Sequence, residues 1–279
     1  MAETAAGRTL RGLILVYGLL IAASAVMFAP YVLEVLTSLK TYAETQLIPP
    51  TIAPSVPQWG NYISVSYKDF PILTQLANSA IVSALRVIGQ LLFASMAAYA
   101  FARLNFPLKR TLFAIFLSVL MVPSQLFLIP QYQIMQKLGW LDSLPALFVP
   151  GMFSAFGVFL LRQFFLSLPR ELDEAARIDG ANSLQIYFFI LLPLLRPALV
   201  ALALLTLVSS WNDLLWPLIV NSTPERLPIS VGLANLQGQY VTQYQLIMAG
   251  AVIASAPIIV LFLVMQRQFI AGFATSGIK

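Results

Sequence analysis

Glu171 to Pro197 reads ELDEAARIDGANSLQIYFFILLPLLRP, a charged island between apolar stretches. The preceding Leu168-Pro169 predicts a helix start, because proline is tolerated in a first helical turn. Glu171, Asp173 and Glu174 place negative charge in that turn, where the helix dipole favours it. Gly180 is the natural stop. Ser183 is expected to cap a second short helix that ends near Pro193. The plainest reading is a charged loop between membrane helices. A sharper one is also available: Glu174 and Ile178 share a helical face beside Ala175. That face offers one acid and a small apolar patch, suited to a groove on another protein.

The rest of the chain sets the solvent in which this island sits. Of 279 residues, 59% are hydrophobic and 10% charged, against about a quarter charged in ordinary soluble domains. Mean hydropathy is +0.84. Apolar runs of about 20 residues without alternation predict membrane helices rather than a barrel. With no Cys and no His, disulfides, thiol chemistry and the commonest general base and metal ligand are excluded. The pI near 9.6 is better explained by cations gathered on one membrane face than by nucleic-acid binding.

Six spans are expected, at about 13–36, 76–102, 111–132, 144–165, 197–220 and 244–265. The leader 1–12 carries Arg8 and Arg11. It admits a signal-peptide reading, but the apolar run after it is too long, so a retained helix is expected. Residues 38–74, rich in proline, predict an irregular outer loop with one short helix, either a plain connector or a contact for an external partner. Asn78, Arg86 and Gln90 give the second span a polar side that should face the bundle. Ala94, Ala98 and Ala102 give it a close-packing face. Pro123 and Pro130 predict a kink in the third span. On this topology eleven cations lie inside and four outside, with Arg86 in a span, accounting for all 16 Lys and Arg. That is the bias of the positive-inside rule, and it puts both termini and the island in the cytoplasm.

Chemistry within the chain is sparse. None of the 14 glycines is followed by Lys, so no P-loop is present. No paired carboxylates, triad or metal cluster is visible. Any ATP driving this protein must bind elsewhere. A self-sufficient secondary transporter would rely on intramembrane ionisable groups, for which only Glu34, Arg86 and Asp213 qualify, and on internal repeats, of which none is clear. The charged island has no role in that alternative.

Glu174-Ala175-Ala176, Gly180, Ile190 and Leu192-Pro193 resemble the EAA signature of bacterial ABC importer permeases. Asn78-Ser79, Ala98 to Arg103, Pro123, Ile129-Pro130, Phe156 to Phe165, Trp211-Asn212-Asp213, Trp216-Pro217 and Leu233 to Tyr240 are similar to the carbohydrate-type permeases, nearest the G-subunit type of the maltose transporter. The resemblance implies an all-α integral membrane protein of six transmembrane helices, the type I ABC importer permease fold. A cytoplasmic N-terminus (1–12) and tail (266–279) would flank the permease domain (13–265), whose EAA coupling loop covers 166–196. It further implies a second homologous permease, two ATP-binding cassette subunits and an extracytoplasmic substrate-binding protein, in a bacterial cytoplasmic membrane. ATP and Mg would sit on the ATPase partners, with no cofactor in this chain.

Glu174, Ala175, Ala176, Asp179, Gly180, Leu192 and Pro193 would then couple to the ATPase. Trp211, Asn212, Asp213 and Trp216 offer the aromatic, amide and carboxylate groups a sugar path needs, though Trp at membrane interfaces and a helix-bonded Asp are equally ordinary. Gly232, Gln237, Gly238, Gln239 and Tyr240 would reach toward the binding protein. A sugar cargo leads, with glycerol 3-phosphate or its diesters the alternative, since a phosphate favours cavity cations and Arg86 is the sole span cation.

Overall fold

A computed structural model describes residues 2–65, 71–237 and 242–274, and their side chains for 12–65, 71–237 and 242–264. It is all helical among the described residues, and four helices are long and apolar enough to cross a membrane, or up to six if each bent pair is one span. The chain divides into two compact units, residues 1–68 with 235–255, and residues 69–234 with 256–279.

The first unit is led by α1 (Ala2–Ser38). Its span Gly12–Ser38 has hydropathy 2.3 and nothing buried in the most apolar window, a surface stable only against lipid or a partner. The segment after it is better ordered than proline density predicts. Two short helices, α2 (Tyr42–Thr45) and α3 (Gly60–Ser64), replace the one expected. Asn61 donates to the carbonyls of Ser38 and Lys40 at 2.7 and 2.9 Å, and the hydroxyls of Ser38 and Tyr62 share a hydrogen bond. Thr41 and Glu44 form a capping box. Glu44 also accepts from the Ser55 amide at 2.8 Å, and the hydrogen bonds from Ser55 and Thr41 hold its carboxyl at about 2.

In the second unit the organising helix is α4 (Ile72–Arg103). After it come α5 (Lys109–Ser118), α6 (Leu128–Lys137), α7 (Leu144–Phe148) and α8 (Ala155–Ser167). Next are α9 (Glu171–Ile178), α10 (Ser183–Gln185), α11 (Leu192–Leu194) and α12 (Arg196–Trp211). The order closes with α13 (Leu215–Val220), α14 (Ile229–Asn235) and α15 (Tyr244–Ala274), the last beginning in the first unit and ending in the second. Helix α4 packs on α8 and α12 through its small residues. Ala94, Ala98 and Ala102 are fully buried, and a Cβ on Gly157 of α8 would lie 3.2 Å from that of Ala94. Backbones approach closely where side chains are small.

Proline explains where the spans depart from straight helices. The third breaks at Pro123, where Lys109–Met121 and Ser124–Lys137 meet at 99°. Pro130 causes no second kink, because it falls in the first turn of α6, where a missing N–H is harmless. The second bent pair is Ser183–Leu194 with Arg196–Trp211, at 77°, and after Trp211 the helix stops, to resume at Leu215. Pro217 in α13 cannot bond the carbonyl of Asp213 four residues back; Ser230 donates to that oxygen instead, at 2.6 Å. Irregular backbone is tolerated at membrane depth only where protein groups satisfy it. Side chains of α4 meet that requirement elsewhere: Asn78 donates to the carbonyls of Glu225 and Leu227, Arg86 to that of Leu147 and Gln90 to that of Gly151.

The Asp142 carboxylate ties the loop before α7 to the segment after α13. It accepts from the amides of Ser222 and Thr223, both at 3.0 Å, and lies 3.2 Å from Arg226. Hydrogen bonds from Thr223 and Ser222, with the Arg226 charge, hold it at about 2 against an ordinary 3.8. A depressed carboxylate stabilises the fold above its unfolded value and ceases to do so as pH falls through its folded one. Thermal stability in detergent is therefore expected to fall as pH drops from 4 toward 2, and Asp142→Asn to flatten that part of the profile. An unchanged profile in the variant contradicts this role.

Candidate functional site: a surface helix pair and an interior ion pair

The charged island folds as two short helices joined without slack. At the end of α9 the Ala181 amide donates to the Ala176 carbonyl at 2.9 Å and the Gly180 amide to that of Arg177 at 3.0 Å, the paired bonds of a Schellman turn. The turn needs a left-handed residue, and Gly180 has φ +85°. Asn182, not Ser183, caps the next helix: its side chain accepts from the Gln185 amide and Gln185 reaches back to the Asn182 amide. Asn is as good a cap as Ser, and only Asn182 stands one residue outside the helix. Arg170, not Pro169, is the residue preceding α9. The second helix does not stop before Pro193. It widens into a π turn over Ile186–Leu191 and carries the proline in α11, which relieves the clash between the ring and the carbonyl four residues back.

Two faces result. Ala176, Ile186, Tyr187 and Leu191 join the core formed with Ala98, Tyr99, Val158, Phe165 and Leu202. The Tyr99 hydroxyl donates to the Ser183 carbonyl at 3.0 Å, and the hydroxyls of Ser95 and Tyr187 meet at 2.6 Å. The other face carries Glu174, Ala175, Asp179 and Gly180, all exposed, with Ile178 86% and Leu184 62% exposed. Leu192 is half-buried and Pro193 exposed. The seven predicted coupling residues thus comprise a surface group and a packing group, with Ala176 in the core.

Asp173 was legible only as first-turn charge, but it fastens the pair. It is buried, and lies 3.4 Å from Arg103 at the end of α4, which also donates to the Leu168 carbonyl at 2.8 Å. The signal was present in the sequence, a cation ending one helix and an acid opening another. Beside this contact is a cleft of about 440 Å³ lined by Arg103, Arg170, Asp173, Glu174 and Arg177.

The second constellation is interior. Arg86 and Asp213, singled out separately in the sequence, form an ion pair at 2.9 Å. Arg86 also donates through Nε and Nη2 to the Leu147 carbonyl, and Gly151 must lack a Cβ, which would lie 2.5 Å from the Arg86 Nε. A cleft of about 320 Å³ adjoins the pair, and Ser124, Gln125, Gln131, Asp213 and Trp216 line it. The Trp216 indole donates to the Ala146 carbonyl at 2.8 Å. Trp211 is buried and does not line this cleft, and Asn212 donates to the Val208 carbonyl of its own helix.

Gly232 lies buried in α14. A Cβ there would come within 1.7 Å of the Gln75 Oε1, and Gln75 donates to the Pro224 carbonyl. Gly232→Ala is expected to displace Gln75 and lower the melting temperature in detergent; an unchanged value contradicts the close approach. Gln237 is exposed. Gly238, Gln239 and Tyr240 lie outside the described residues.

The described residues thus form helices only, with proline-broken spans, a docked pair of short surface helices and an interior ion pair. The chain belongs to the family of binding-protein-dependent transport system inner membrane components, which matches residues 90–274. It is 38% identical over 226 residues, 81% of either chain, to the arabinooligosaccharides transport system permease protein AraQ of Halalkalibacterium halodurans. It is 33% identical, over 92% of this chain and 94% of the relative, to the sn-glycerol-3-phosphate transport system permease protein UgpE of Yersinia enterocolitica. A chain of a bacterial ABC transporter involved in the import of the acidic polysaccharide alginate superposes with a TM-score of 0.80 over 94% of this chain and 98% of that one. Its identity of 24% makes that likeness one of fold. The protein is therefore a membrane-embedded ABC permease, with the type I fold.

Proposed function

We propose that this chain is one of two homologous permease subunits of an ATP-driven importer, carrying a neutral sugar or oligosaccharide delivered by an external binding protein. The exposed Glu174–Ala175–Ile178 face is the knob that enters an ATPase subunit, two of which supply the ATP and Mg chemistry. Asp179, Gly180 and the Asn182 cap hold the knob in shape, while Ala176 and Leu192 link it to the core and Pro193 lies on its exposed side. ATP-driven closure of the ATPases moves the pair, and the aromatic core behind it carries the motion into α4, α8 and α12. Both termini and the helix pair face the bacterial cytoplasm, as the cation distribution supports. Gln237 faces the binding protein.

The observation that carries the mechanism is the exposed acid-and-apolar face on a doubly anchored helix pair, since Ile178 and Leu184 held outward at its tip beside Glu174 suit a partner surface. For the cargo it is the neutrality of the interior cleft. Arg86 lines the cleft too, but its charge is paired with Asp213 and its other donors are engaged by the Leu147 carbonyl, leaving the Ser124 hydroxyl, the Gln125 and Gln131 amides and the Trp216 ring face, which suit a polyol better than a phosphate. The relatives include permeases named for both kinds of cargo, and uptake decides between them. Cells lacking this chain are expected to lose uptake of a radiolabelled neutral oligosaccharide from a panel and to retain that of glycerol 3-phosphate. The reverse pattern assigns the phosphate.

A further inference from the structure

A third cleft, of about 370 Å³, opens between the charged ends of α4, α5 and α8, and Lys109, Arg110, Arg162, Arg170, Phe113 and Leu166 contribute to its walls. No carboxylate lines it. Among the described residues the ion pairs are Arg86–Asp213, Arg103–Asp173 and Arg226–Asp142, so none of these four cations has an acidic partner. Two of them are fixed in place. Lys109 donates to the Leu104 carbonyl at 2.7 Å; Arg162 donates to that of Phe101 at 3.1 Å and lies 4.2 Å over the Phe113 ring. Arg110 and Arg170 are exposed at the rim. Four like charges around one cavity repel one another unless an anion joins them.

We propose that this cleft binds the phosphate headgroup of an anionic phospholipid from the membrane leaflet on that side. The apolar surroundings distinguish a lipid from a soluble anion. Leu112 and Ile115 on α5 are 46% and 61% exposed, and Phe159 and Leu166 on α8 are 37% and 43% exposed. These side chains run along the two helices from the cationic end into the span, where acyl chains would lie. Basic clefts between membrane helices at the interface are suited to acidic headgroups. The inference needs only the membrane embedding of the family and is independent of cargo and ATPase coupling.

The test uses the full-length chain purified in neutral detergent and native mass spectrometry with phosphatidylglycerol or phosphatidylcholine. Phosphatidylglycerol is expected to be retained preferentially, and Arg110→Gln with Arg170→Gln to reduce that retention by about tenfold or more. Neither arginine makes a side-chain hydrogen bond or ion pair among the described residues, and circular dichroism checks that the double variant is folded. Arg110→Lys with Arg170→Lys keeps both charges and is expected to keep the lipid. Equal retention of the two lipids, or undiminished phosphatidylglycerol retention in the glutamine variant, overturns the proposal. A rise in melting temperature with inorganic phosphate equal to that with phosphatidylglycerol also overturns it, in favour of a soluble anion.

Discussion

Asp213→Ala is expected to destabilise the protein by about 3 kcal/mol, the lower end of the cost of stripping the partner from a buried charge. The Arg86 side chain is 10% exposed and that of Asp213 23%, so solvent softens the loss without removing it. Arg86 keeps its bonds to Leu147, but its charge is left uncompensated between α4 and the α12–α13 break. The melting temperature in detergent and the yield of assembled complex should both fall. Asp213→Asn, which keeps an acceptor, should fall between the two. Removing both partners in Arg86→Met with Asp213→Leu should recover part of the stability, because well-packed apolar replacements of ion pairs are often near neutral. A stable Asp213→Ala with normal yield and lost uptake would instead give Asp213 to the substrate path alone.

Glu174→Lys should behave in the opposite way. Glu174 is exposed and makes no side-chain hydrogen bond or ion pair within the described residues, so folding should change by only about 1 kcal/mol, from the reversed charge in the first turn of α9. If the proposed ATPase groove meets Glu174 with a cation, as an acid on a knob requires, placing a second cation there costs several kcal/mol, and each 1.4 kcal/mol is tenfold in affinity. ATPase recovery with the purified chain should fall by about 100-fold, and uptake should drop to background, while the amount inserted in the membrane stays level. Normal uptake by this variant removes Glu174 from the coupling contact. Contrasting the two substitutions separates a structural carboxylate from an interfacial one.

What the sequence made legible follows from the range of the interactions involved. The charged island carries its own instructions, with acids in the first turn, a left-handed glycine and a polar cap, so both short helices were readable, the start of the first and the cap of the second shifting by one or two residues. Ala94, Ala98 and Ala102 were readable because a four-residue period depends on one helix alone. The partners of Asp173 and Asp213 were not, since Arg103 and Arg86 are 70 and 127 residues away in the chain, and no local pattern encodes which acid meets which cation. The π turn before Pro193 and the harmlessness of Pro130 had a different origin: a proline's effect depends on its place relative to the helix start, which shifts by a residue or two. Burial of Gly232 was hidden because α14 lies in a stretch whose glycines and polar residues read as loop.

The most direct measurement is affinity purification of the tagged chain from membranes of its native host, with mass spectrometry of what accompanies it. A P-loop ATPase and a second six-helix permease are expected with the wild-type chain, the ATPase being lost with Glu174→Lys while the second permease stays. A chain that purifies alone and transports in proteoliposomes without ATP would contradict the account and move its chemistry to Glu34, Arg86 and Asp213.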